Sequence, residues 1–494
     1  MPSETTEAPK SFWVASAQAR MQPLDDVNPL SSQADIDSAR QMLDHELLAI
    51  HCAIAAAKTR RNTMAPISRL PPEMMSHIFR LYALDEIPAK SRRIRFENPY
   101  AVLGWITVTH VCRAWRQMAL DDASLWSHLV DISPTWMLEM FERCKGTPFG
   151  VKASFRRREK EEGKTMSGVV QDILARGGTA RLRSLKLDMG WTNKNMVPIF
   201  EQLQTAAPFL ESCVLKIEGS YPHIREHIPK NLFEARAPRL RRLILNHWLI
   251  VPWRSSFVSN LVQLEVIQSI SSGRALSVAD LLRVLSRTPR LETLVLQYAV
   301  TERESSSDST IAKEKIVELP RLSKFTIRTS VYAFVLLMSG AQVPPSCNLS
   351  LECNGKAQDL RTLSPVLGPF GGPFDEKPLQ RIKFESAAHH RETSLQFSAL
   401  TSTSPSASPK LQLRLHSHEK DCLTLVPQLF HEMSLEHVSI FEVQGLDFRR
   451  WKKADFQAVF GPLSAVSEIR LHGTSSNEIL ELLMKAAPRA KATK

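Results

Sequence analysis

The chain has 494 residues, 43% hydrophobic and 23% charged, with a formal net charge of +12. This is ordinary globular composition with room for two or three domains and a large core. No run of about 18 apolar residues occurs, which excludes a helical membrane span.

Met1–Lys10 is polar and unlike a secretory signal. The seven cysteines, at 52, 112, 144, 213, 347, 353 and 422, include no Cys-x-x-Cys pair. Neither a zinc ribbon nor a redox pair is indicated, and reduced thiols in the cytoplasm or nucleus are the simplest reading. The positive charge invites a nucleic-acid reading, but its clusters are short. Arg156, Arg157 and Arg158 are followed at once by Glu159, Glu161 and Glu162, and the Arg239–Arg242 and Arg449–Lys453 clusters are brief and isolated. With no zinc finger, aromatic RNA-binding signature or continuous basic helix, a solvated basic surface is the better account. It could still steer an acidic partner.

In chain order, residues 1–33 mix Pro, Ser, Thr and acidic residues and are expected to be disordered. Residues 34–62 change character. Ile36, Leu43, Ile50 and Ala57 recur every seven residues, with Leu47 and Ile54 between them. That predicts a helix with a coiled-coil-like seam, or an amphipathic helix packed back on the segment that follows, which is the reading the pattern slightly favours.

Residues 63–145 form the next unit, organised around Ile67–Leu129. It opens with Leu70, Pro71, Pro72 and Glu73, a helix start in which the prolines lose no needed amide donor and Glu73 faces the positive helix end. Met74, Met75, Ile78, Phe79 and Tyr82 follow at helical spacing as one apolar face. Trp105, Val108, Val111, Cys112, Trp115 and Ala119 recur by three or four and predict a second amphipathic helix. After the Asp121–Asp122 turn come Leu125 and Trp126, and Ser133–Cys144 reads as a further helix. Two short helices cannot bury so many large side chains, which leaves apolar surface for a partner.

This stretch resembles an F-box. Leu70-Pro71-Pro72-Glu73 with Ile78-Phe79 is similar to that family's first helix, and Val111-Cys112-Arg113 with Trp115-Arg116, then Leu125-Trp126, to its later ones. The likeness is nearest to the expanded fungal families and covers about an eighth of the chain. It departs from them at residues 84–104, a longer basic insert carrying Arg92, Arg93 and Arg95. The bland alternative is a helical hairpin that packs only on its own domain.

Residues 146–179 read as a linker or first helical unit, and residues 180–488 as a repeat domain. From Ala180 the form Leu-x-x-Leu-x-Leu recurs, as in Leu182-Leu185-Leu187, Leu240-Leu243-Leu245 and Leu291-Leu294-Leu296. Similar segments start at 210, 261, 322, 379, 435 and 466, with weaker ones at 349 and 411, so starts fall 21 to 32 residues apart. Helical patterns lie between them, at Met196–Leu203, Val278–Leu285, Leu423–Phe430 and Ile479–Met484. One strand and one helix per period is the signature of a leucine-rich-repeat solenoid, whose units must stack to bury their apolar sides. The Asn expected three residues after the third Leu is absent, its places being held by Gly190, Trp248, Ala299 and Ser330. The units are therefore expected to be irregular, and an α/β domain with a parallel sheet but no true repeat stays open. Thr301–Lys315, Gly368–Lys377 and Ser398–Pro409 read as projecting loops.

The sequence has no Gly-x-Gly-x-x-Gly, Walker-type loop or Gly-x-Ser-x-Gly elbow. His416, His418, Glu419 and Cys422 match no familiar zinc spacing, and His389–His390 reads as loop. No catalytic, cofactor or metal site is expected. The fold class expected is an α+β chain: an N-terminal helix and all-helical F-box, then an irregular strand–helix solenoid.

The F-box resemblance implies a non-catalytic substrate receptor of an SCF-type (cullin–RING) ubiquitin ligase. Its helices would bind the Skp adaptor, and its repeats an unknown protein target. The adaptor-binding residues would be Leu70, Pro71, Pro72, Ile78, Phe79, Val111, Cys112, Trp115 and Trp126, some of them core rather than contact. The alternative is a repeat scaffold outside any ligase, and a nucleic-acid binder is a minor one.

Overall fold

Local propensity and capping set the helices of a first unit, Met1–Leu125, and period-two alternation sets the strands of a second, Trp126–Lys494. The computed structural model describes residues 8–90, 101–155, 165–189, 197–217, 231–247, 256–268, 275–301, 316–354, 362–370, 378–389, 392–404, 406–417, 430, 433–444, 457, 461, 463–472 and 491–493.

The first unit is helical. α1 (Ala8–Met21) occupies residues expected to lack structure. α2 (Gln33–Thr63) starts where the Ser32 hydroxyl accepts from the Asp35 amide at 3.2 Å, an N-cap followed by acidic Asp35. Packing of α2 onto the following helices is not what forms. Ala39 is buried, but from Leu47 to Arg61 every residue is exposed.

α3 (Pro72–Asp85) begins at the double proline, with the Pro71 carbonyl accepting from the Met74 and Met75 amides. The single helix expected from Trp105 onward is two pieces, a 3-10 segment Gly104–His110 and α4 (Arg113–Asp121). Cys112 breaks it by adopting extended backbone as the N-cap of α4, its sulfur accepting from the Trp115 amide at 3.5 Å. Of the expected insert, Ala89–Lys90 pairs antiparallel with Ala101–Val102, while its arginines at 92, 93 and 95 lie outside the described residues. Gly104 ends it at φ +54°, where an added Cβ would meet the Glu86 carbonyl oxygen.

The second unit holds a long sheet. Its strands are β1 (His128–Val130), β2 (Phe149–Phe155), β3 (Leu182–Met189), β4 (Ser212–Ile217), β5 (Arg242–Asn246) and β6 (Gln263–Ile267). They continue with β7 (Thr293–Gln297), β8 (Lys324–Ser330), β9 (Asn348–Asn354), β10 (Arg381–His389) and β11 (Glu392–Leu400). β12 (Leu411–Ser417), β13 (Ile440–Gln444), β14 (Glu468–His472) and β15 (Lys491–Thr493) complete it. From β1 to β9 neighbours are consecutive and parallel.

The middle leucines stand in one row: Leu185, Cys213, Leu243, Leu264, Leu294, Phe325, Leu349 and Leu411 are successive Cα partners. All are buried. Each strand needs the next to cover that row, which is why the stack grows by addition. The His247, Gln268 and Tyr298 amides, two residues past the third apolar position, donate to the carbonyls of Ile267, Gln297 and Arg328 on the next strand, at 2.7, 2.8 and 3.0 Å.

The sheet starts earlier than Ala180. β2 and α6 (Met166–Gly177) fill the stretch expected to be a linker or first helical unit, and Ser133 caps α5 (Pro134–Arg143) in the same unit. The helices expected at Met196–Leu203 and Val278–Leu285 form as α7 (Val197–Gln202) and α8 (Val278–Leu285), whereas those at 423–429 and 479–484 lie outside the described residues. α9 (Val331–Gly340) is capped by Ser330, the residue in an expected Asn place, whose hydroxyl accepts from the Ala333 amide at 3.2 Å.

Beyond β9 the consecutive order breaks. The spatial order runs β9, β12, β11, β10, β13, with β11 antiparallel to both neighbours. β11 therefore claims Ser398–Leu400 from the expected Ser/Pro loop, and β10 extends to His389, read as loop. Apolar Phe397 and Ala399, both fully buried, alternate with polar Gln396 and Ser398 and supply the strand signal there. No helix among the described residues is long and apolar enough to cross a membrane.

Candidate docking surface

The apolar arc on α3 divides into two stripes. Met75 and Phe79 point inward and are buried, with the Phe79 ring centroid 5.2 Å from that of Trp115 on α4. Met74, Ile78 and Leu81, one stripe at helical spacing, point outward, Met74 being 51% and Ile78 40% exposed. Ahead of them the Pro66–Arg69 turn holds Ile67 and Leu70 at the surface, Leu70 closing it through its amide to the Ile67 carbonyl at 3.1 Å. Val111, which precedes the α4 cap, is 58% exposed.

The frame beneath is fixed by the 3-10 segment, where Trp105, Ile106 and Val108 are buried. A second tie joins α3 to the end of α4: the Arg80 guanidinium donates to Asp122 at 2.8 Å. Burial pushes the Asp122 carboxyl up, but hydrogen bonds from Ser124 and Arg80 outweigh it and hold the group below its ordinary value.

Of the residues expected to dock an adaptor, Leu70, Pro71, Pro72, Ile78 and Val111 are exposed. Cys112 and Trp115 are half-buried, the one capping α4 and the other against Phe79. Phe79 and Trp126 are core. Trp126 belongs to the second unit, is fully buried, and carries the Arg143 guanidinium 4.3 Å over its ring. Ile67, Met74 and Leu81, outside the expected set, also stand at the surface. Their spacing with Leu70 and Ile78 was visible, but an apolar arc this wide does not show which edge turns inward.

A second surface lies on the face of the sheet opposite the leucine row. There Glu352 accepts from Arg328 at 3.1 Å and is 2.8 Å from His416 Nε2, and Arg328 lies 4.4 Å over Tyr298. His416 is thus a strand residue within an ionic group, while His418, Glu419 and Cys422 lie outside the described residues. Further along, buried Glu442 accepts from Arg381 at 2.6 Å and Arg470 at 2.8 Å. Among the described residues no group of three or more His, Cys, Asp or Glu could hold a metal ion. The arrangement offers polar and apolar contact surface.

Residues 67–131 match the F-box-like family model. They form an F-box-like domain, which includes α3 and α4 and runs as far as β1. None of the curated proteins matches the sequence. Among solved structures, the leucine-rich repeat-containing protein LegL7 from Legionella pneumophila aligns over 62% of this chain and 89% of its own, at 12% identity and a TM-score of 0.29. That degree of likeness adds nothing to what the sheet itself shows.

Proposed function

We propose that this protein is a non-catalytic substrate receptor of a cullin–RING ubiquitin ligase of the SCF type. The observation that carries the reading is the outward stripe of Leu70, Met74, Ile78 and Leu81 in the F-box-like domain. An F-box-like domain implies docking to the Skp adaptor, and an apolar stripe left open on a short helix is what a helical partner would cover. The sheet unit, read as an irregular leucine-rich-repeat-like solenoid, would hold the protein target on its charged and polar face. The chain would then act by raising the target's effective concentration near the ubiquitin-charged enzyme, in the cytoplasm or nucleus, and would need no cofactor.

The test is capture of purified Skp adaptor by the full chain and by a Met74→Asp, Ile78→Asp variant. Both side chains are exposed, so the variant keeps its fold while losing the apolar surface. Capture by the intact chain and loss in the variant supports the reading. A folded intact chain that captures no adaptor refutes it, and a scaffold role outside a ligase would take its place.

A further inference from the structure

From Leu47 to Arg61 helix α2 touches the rest of the protein too little to bury any residue, yet it carries Leu47, Ile50 and Ile54 on one side. We propose that this half of α2 is a self-association element that pairs with α2 of a second copy as an antiparallel coiled coil. The inference does not rest on the ligase reading.

The heptad is uniform in this stretch. Leu43, Ile50 and Ala57 take one core position, and Leu47, Ile54 and Arg61 the other. Core layers of an antiparallel pair join one kind of position to the other. A two-fold axis beside residue 52 then matches Ile50 with Ile54 and Leu47 with Ala57, each twice, along about 15 Å of helix. Small Ala53 meets its own copy beside the axis, which lets the backbones approach closely.

Charge selects orientation and partner. The flanking positions of the same register place Asp44 beside Lys58 of the other copy, twice. The N-terminal part of α2 is acidic, with Asp35, Asp37, Asp44 and Glu46, and the C-terminal end basic, with Lys58, Arg60 and Arg61. A parallel pair would set like ends side by side. Its flanking pairs would be Ala39 with Asp44, Glu46 with His51 and Ala53 with Lys58, of which none joins an acid to a Lys or Arg. The N-terminal part is already engaged, since Ala39 is buried and Glu46 pairs with Arg20, which leaves the core positions from Leu47 to Ala57 free for the antiparallel pair.

Sedimentation equilibrium of the full chain tests this. The intact chain is expected to be dimeric at tens of micromolar, and Leu47→Asp monomeric with an unchanged circular dichroism spectrum. Asp44→Lys or Lys58→Asp alone should raise the dissociation constant about tenfold, through two lost attractions and two new repulsions at exposed sites. The double variant Asp44→Lys, Lys58→Asp should restore it. A monomeric intact chain, or a dimer indifferent to Leu47→Asp, overturns the proposal. A double variant no tighter than the single ones overturns the antiparallel register.

Discussion

Adjacent residues on α3 should respond oppositely to truncation. Phe79 is 2% exposed and packs against Trp115, whereas Ile78 next to it is 40% exposed. Phe79→Ala removes roughly 150 Å² of buried apolar surface, worth ~4 kcal/mol at ~25 cal/mol per Å², within the ~3–5 kcal/mol range for buried Phe→Ala. The Arg80–Asp122 ion pair cannot replace it, because it covers none of the apolar surface that Phe79 buries. Ile78→Ala removes little burial and inserts a better helix former, so it should change stability by less than about 0.5 kcal/mol. Hydrogen exchange of peptides from residues 72–85, read by mass spectrometry on the full chain, resolves the two. Phe79→Ala should speed exchange about a thousandfold or to the unprotected limit, and Ile78→Ala should leave it alone while weakening adaptor capture. Equal loss of protection in both variants, or none with Phe79→Ala, would refute the division of α3 into an inner and an outer stripe.

Three further outcomes follow from the sheet and the caps. Burial pushes Glu442 up, but hydrogen bonds and charge from Arg381 and Arg470 outweigh it and hold its carboxyl below the ordinary value. The stability this contributes is complete above the ordinary carboxylate range and is lost as pH falls through the lowered folded-state value. Glu442→Gln should therefore cost about 3 kcal/mol at pH 7 in urea unfolding and flatten the acid dependence, and an unchanged acid slope would count against the ion-pair account. Burial raises the Cys347 and Cys353 thiols to about 12 and pushes Cys213 higher still, while Cys52 is exposed. Iodoacetamide at pH 8 should label Cys52 quickly and Cys213, Cys347 and Cys353 only after unfolding, as peptide mapping would show. Ser330→Ala removes the α9 cap and should cost about 1 kcal/mol; a neutral result in thermal unfolding would mean the cap is replaced by water.

The strands of the repeat region were legible because alternation is a local property. Wherever Leu-x-x-Leu-x-Leu occurs between residues 182 and 327, all three apolar positions are buried and the last two lie in a strand. The start of α3 was legible for the same reason, since two prolines and an acidic residue act within one turn. The hairpin of β10 and β11 was hidden by composition. The Ser, Thr and Gln interspersed along β11 make it look like loop, and only pairing on both sides reveals the strand.

Local sequence fixes most of the helical and extended stretches and the spacing of the apolar residues that need cover. Tertiary structure alone decided which apolar stripes receive it. On α3 the cover comes from Trp115, 36 residues away, and falls on Phe79 rather than Ile78. On α2 none reaches Leu47–Arg61, although its heptad is as regular as a buried one. Periodicity is set by 3.6 or 2 residues of local geometry, whereas burial is set by whatever non-local surface arrives, and a residue carries no local mark of that arrival.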